Sequence, residues 1–201
     1  PLAFAHQVPR VPPLRPHRTR HAATRAASAI LVALGVITLG GSSVFVYGAA
    51  IGTELNGMTA LAVSIVYSLN AVASIPAARW YGPRGPAGVW FLGTTVCALI
   101  IAGVRSPLAF SFALVVWGFV FFMGVPAAFG LLAARSNFPE ERAGDAQAVM
   151  ALGRVGGPLL GGVLIGSGSP LALGIAAGAL VASGASILLY VDRERFVLAT
   201  H

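Results

Sequence analysis

One arginine stands inside an otherwise uncharged apolar run: Arg154, within residues 146–166. A guanidinium in hydrocarbon is costly and is retained where it binds, gates or is paired. At 1.5 Å per residue it lies roughly 14 Å into that run, shallow enough for interfacial anchoring by snorkelling to compete with binding or gating. Tyr67, Asn70 and Ser74 recur at i, i+3 and i+7, with Ser64 nearby, so a helix there carries one polar face. Asn70 and Tyr67 are the better cavity candidates, because a serine hydroxyl can satisfy itself on its own backbone. Ser43 and Tyr47 form a similar pair at i and i+4. Phe110, Trp117 and Phe121 share a face with Gly124, and an aromatic wall suits greasy or cationic ligands. Phe112, Phe119, Phe122 and Phe129 point elsewhere and read as lipid-facing. Against these roles stand plainer ones: interhelical hydrogen bonding for the polar residues and packing for the aromatics.

Enzyme chemistry finds no support in the same inventory. Gly166-Ser167-Gly168-Ser169 has the look of a nucleophile loop, but a nucleophilic serine needs a base within hydrogen-bond reach. The four histidines lie in the terminal segments, and no Asp or Glu falls within an apolar run. The same shortage removes the ligands for a metal, and the single Cys97 offers neither a disulfide nor a cysteine metal site. The reading is a protein that is not an enzyme and needs no cofactor or metal.

What must position these side chains follows from composition. Hydrophobic residues make up 57% of the 201 and charged residues 9%, where a soluble domain carries about a quarter as charge. Apolar runs near 26–51, 59–78, 87–104, 108–133, 146–166 and 171–191 are long enough to cross about 30 Å of hydrocarbon. Six transmembrane helices are expected, forming one bundle over 26–191. Residues 1–25 mix five arginines with prolines and read as a flexible, basic cytoplasmic segment; 192–201 read as a cytoplasmic tail. The net charge of +7 comes wholly from arginine, as no lysine occurs. Its placement, in the tails and in alternate loops, records membrane orientation and argues against nucleic acid as a partner. Arg79, Arg84, Arg135, Arg142, Arg193 and Arg195 share the side of the basic segment, so both termini are expected in the cytoplasm. Glu54, Arg105 and the Gly166–Ser169 turn then face outward. The chain opens on Pro1 with no signal segment, and further protein is expected upstream.

Gly153, Gly157 and Gly161 lie four residues apart on one face of the fifth span, with Pro158 and Gly162 beside them and Gly144 upstream. Such a ridge lets a neighbouring backbone approach closely, and the proline bends it. Gly174, Gly178, Ala182 and Ser186 build a similar ridge in the sixth span, whose remaining surface is expected to be more lipid-exposed.

The fifth-span pattern resembles the antiporter motif of the major facilitator superfamily, especially its drug:proton antiporters. That motif usually marks the fifth helix of the N-terminal half, and a related pattern often occurs in the eleventh helix. Residues 76–85, with Arg79, Gly82 and Arg84, resemble the family's basic loop between its second and third helices, although Arg79 occupies the position of the family's aspartate. The fourth span lacks the arginine of an N-terminal half, and residues 137–142 look like the loop after helix ten. The resemblance covers about residues 26–191 and implies the C-terminal half of a twelve-helix transporter, with a 3+3 inverted repeat. It implies a plasma-membrane protein that moves a small-molecule substrate by alternating access. Efflux of drugs, sugars or metabolites by proton antiport is the implied activity. The implied partners are the lipid bilayer and a missing N-terminal six-helix half. A non-transporting six-helix scaffold or assembly protein is the competing expectation.

Overall fold

The computed structural model describes residues 21–199, with side chains through Arg193. Most of the expected basic segment, residues 1–20, and the last two tail residues lie outside the described residues. Six long helices run through what is described: α1 (Arg25–Phe45), α2 (Ala60–Ala78), α3 (Ala87–Gly103), α4 (Pro107–Ala134), α5 (Pro139–Gly166) and α6 (Pro170–Ala199). No strand occurs among the described residues. Five helices are long and apolar enough to cross a bilayer, counting α1 through its continuation to Leu55. The sixth, α3, is apolar with 17 residues, about 26 Å long and just short of the hydrocarbon thickness. This is the helical architecture of a membrane-embedded protein.

Local chemistry sets where the helices begin. The Thr24, Thr59 and Ser106 hydroxyls accept from the amides of Ala27, Ala62 and Ala109, capping α1, α2 and α4. Pro107, Pro139 and Pro170 open α4, α5 and α6, where a missing amide proton costs nothing. The turn before α6 passes through Gly168 at φ +80°, a left-handed conformation that a side chain would strain.

Three boundaries differ from the apolar runs. Helix α5 begins at Pro139 rather than 146, because Glu140 and Glu141 in its first turn favour a helix N-terminus while hiding it from a hydropathy criterion. Helix α6 continues through charged residues to Ala199 instead of ending at 191. The first span breaks at Val46–Tyr47, then resumes as Gly48–Ala50 and a wider turn, Ile51–Leu55, closed by Asn56 N–H donating to Ile51 O.

The helices pack in the order α5, α1, α6, α3, α4, α2, with a lighter contact between α5 and α4 that bends this chain toward a ring. Ile30, Leu34 and Ile37 of α1 meet Phe91, Leu132, Met150 and Leu188 in one core cluster. Phe110, Leu114, Ile101 and Leu173 anchor a second, toward the opposite ends of the helices. Helix α6 departs from expectation. Gly174 and Gly178 do pack on α3, against Ala102 and Leu99, but Ser186 is exposed. Ala177 is fully buried against Gly40 of α1, so α6 is held between two helices rather than chiefly against lipid. The more exposed helices are the two ends of the order, α2 and α5.

Candidate binding cleft

A cleft of about 510 Å³ opens between α1, α2, α4 and α5. Thr38, Gly41, Ser42 and Phe45 line it from α1, Val46 from the break that follows, Asn70 from α2, Trp117, Gly118, Phe121 and Phe122 from α4, and Arg154 from α5. The crossing between α2 and α4 is tight. A Cβ on Gly118 would fall on the Asn70 carbonyl oxygen, and the buried Asn70 side chain donates through Nδ2 to Leu114 O at 2.6 Å. Phe45 and Trp117 approach with ring centroids 6.0 Å apart.

The opposite wall depends on the glycines of α5. A Cβ on Gly153 would strike the Thr38 hydroxyl and come within 2.7 Å of Gly35 O; one on Gly157 would strike the Ser42 hydroxyl and come within 2.6 Å of Leu39 O. At Gly161 the obstacles are Ser43 O at 2.5 Å and the Tyr47 ring at 2.7 Å. These glycines let α1 and α5 touch backbone to backbone, and polar side chains then tie the seam. Ser42 Oγ lies 2.6 Å from Thr38 O and 3.0 Å from Gly153 O, and Tyr47 donates to Pro158 O at 3.0 Å. Gly162 accommodates the same tyrosine, its hydroxyl being 2.7 Å from where a Cβ would stand. Gly144 behaves differently: it is exposed, with open space around it, and takes no part in the ridge.

Of the seven residues expected to form a cavity, Asn70, Trp117, Phe121 and Arg154 meet in this cleft. Ser43, Tyr47 and Tyr67 are placed elsewhere. Ser43 is buried and donates to Gly40 O on its own helix, Tyr47 braces α5, and Tyr67 donates to Phe45 O at 2.7 Å while lying over Gly48. Ser64 and Ser74 likewise satisfy themselves on α2, through Ala60 O and Ala71 O. Thr38, Ser42 and Phe45 were missed, although their i, i+4, i+7 spacing on α1 is a legible helical face. Phe122, read as lipid-facing, lines the cleft at its exposed edge.

Arg154 is exposed to the cleft and has no hydrogen-bond or ion-pair partner among the described residues, backbone carbonyls included. It lies 12 residues before the end of α5, about 18 Å along the axis, and so well inside the helix. Among the described residues, the cleft lining contains no Asp, Glu or His.

The basic loop between α2 and α3 is a pinned turn. Arg79 closes α2 and is exposed, as is Gly82, which packs beside the Trp80 indole. Arg84 reaches back to Ala77 O at 3.4 Å, its own carbonyl accepts from the Trp90 indole, and no carboxylate among the described residues pairs with it.

At the same end of the bundle a polar cluster joins the entry of α1 to α5. The buried Arg142 contacts Asp145 Oδ2 at 2.9 Å and Glu141 Oε2 at 3.1 Å, and donates to His21 O at 3.0 Å. The His21 ring stacks on Phe138, and its Nδ1 is 3.1 Å from Glu141 Oε1. Hydrogen bonds from the His21 side chain and backbone hold the Glu141 carboxyl below the usual carboxylate range.

No protein-family model matches this chain, and no curated protein shows significant similarity to it.

Proposed function

We propose that this chain is a six-helix bundle of a secondary transporter of the major facilitator type, moving a small molecule through the α1–α2–α4–α5 cleft by alternating access. The observation that carries the reading is the cleft itself: a polar and aromatic cavity with a lone arginine, inside a bundle whose helices otherwise present apolar surface. Such a site is costly in a membrane unless it is used. The packing order supports a 3+3 inverted repeat. Adding three to each helix number turns the α1–α5 pair into α4–α2 and the α1–α6 pair into α4–α3, and leaves α3–α6 unchanged. Glycines also admit close crossings at both seams, from α5 in the α1–α5 pair and from α4 in the α2–α4 pair.

The exposed apolar faces of α2 and α5, the latter bearing Leu152, Val155, Leu159 and Val163, flank the cleft and suit a facing six-helix half. Proton antiport needs a titratable group that is alternately exposed, and in this reading the facing half supplies it. Efflux across the plasma membrane, with both termini cytoplasmic, completes the proposal.

Access from both sides tests alternating access without knowledge of the substrate. Val46→Cys in a Cys97→Ser full-length protein is treated with a membrane-impermeant thiol reagent from either face of oriented vesicles. Labelling from both faces is expected. Labelling from one face alone overturns the transporter reading and favours a scaffold that docks partners through α2 and α5.

A further inference from the structure

We infer that the cleft selects an organic anion: a carboxylate, sulfonate or phosphate ester carried on an apolar or aromatic body. This deepens the transporter reading and rests on it for the claim that the ligand is moved, although the binding claim can be tested alone. Among the described residues, Arg154 carries the only formal charge in the cleft lining and has no partner. An uncompensated guanidinium inside a membrane-spanning bundle raises the energy of the empty site, and an arriving anion removes that cost while gaining two parallel N–H donors.

The remaining lining fits the rest of such a ligand. Phe45, Trp117, Phe121 and Phe122 offer apolar area, while Thr38, Ser42 and Asn70 add neutral polar groups without countering the positive field. Their aromatic faces alone would favour a cation. A full positive charge in the same cleft, with no carboxylate beside it among the described residues, outweighs that preference, because charge–charge repulsion in a poorly screened cavity exceeds a cation–π contact.

The test uses full-length protein in detergent and calorimetric titration with three probes of one shape: 4-tert-butylbenzoate, 4-tert-butylbenzamide and 4-tert-butylbenzylammonium. The benzoate is expected to bind about tenfold more tightly than the amide, the difference made by one charge-assisted hydrogen bond, and the ammonium more weakly than either. Arg154→Gln should bring the benzoate and amide within about threefold of each other, and Arg154→Lys should retain much of the preference. Neither variant should be less thermally stable than the wild type, because the exposed side chain has no partner to lose among the described residues and Arg154→Gln removes an uncompensated charge, so a lost preference reports on binding. Equal or tighter binding of the ammonium, no measurable binding of the benzoate, or a preference that survives Arg154→Gln overturns the inference. Anion binding in a protein whose Val46→Cys variant labels from one face alone would leave the inference standing and remove transport; labelling from both faces without an anion preference would do the reverse.

Discussion

The Tyr47 hydroxyl donates to the Pro158 carbonyl oxygen at 3.0 Å, joining the break in the first span to the proline of α5. Both partners sit where a regular helix is interrupted, since Pro158 withholds the amide that would bond four residues back. Removing only the hydroxyl, as Tyr47→Phe, should lower stability by about 0.5–1 kcal/mol, the range for one hydrogen bond in a membrane bundle. Thermal unfolding in detergent measures this, and an unchanged midpoint would show that the bond bears no weight.

The glycine seam makes a stronger demand. Gly157→Leu must displace the Ser42 hydroxyl and the α1 backbone, and should cost about 3 kcal/mol or more, visible as loss of folded yield. Val96→Leu, at an exposed position of α3 outside the cleft lining, is the control and should be neutral within about 0.5 kcal/mol. Ala177 cannot serve as that control, because it is buried against Gly40. Equal tolerance of the two substitutions would argue against a close-packed α1–α5 seam.

Glu141 fixes a pH dependence. Its carboxyl is depressed in the folded state, so the stabilisation is present above the ordinary carboxylate pKa of about 4.3 and is lost as pH falls through the lower folded value. Wild-type protein should therefore lose thermal stability on its acid limb more steeply than Glu141→Gln, while above pH of about 6 the variant should be the less stable of the two. Parallel acid limbs would count against the His21–Glu141 contact.

Topology can be read by cysteine accessibility on a Cys97→Ser background. Asn137→Cys and Gly82→Cys should label only from the cytoplasmic face, and Arg105→Cys only from the outside. Outside labelling at position 82 would invert the orientation.

How far the sequence carried these conclusions varied with the kind of signal. Apolar runs located all six helices, because hydrocarbon thickness sets a minimum length that composition alone reveals. The charged start of α5 escaped, since Glu140 and Glu141 act through helix ends rather than through hydropathy. In the cleft, Asn70, Trp117, Phe121 and Arg154 were legible as rare polar or aromatic residues on helical faces. Ser43 was misjudged and Ser42 overlooked for one reason: adjacent residues on a helix differ by about 100° in direction, and only a neighbouring helix fixes which of them faces the cavity. Tyr47 and Tyr67, expected at the cavity, instead reach carbonyls where a helix is broken or neighbours a break, a geometry that only the tertiary fold reveals.

The spacing of the α5 glycines has a mechanical consequence. Gly153, Gly157 and Gly161 form a ladder of equal rungs, so a slide of one turn, about 5.4 Å, brings a glycine close to where another had been. Steric fit alone thus leaves the register of this seam nearly degenerate. Ser42 and Tyr47 mark the observed register, in which their hydroxyls reach Gly153 O and Pro158 O. The pair behaves as a detent on this track: leaving the observed notch breaks two hydrogen bonds and also lifts Met150 of α5 out of its packing on α1.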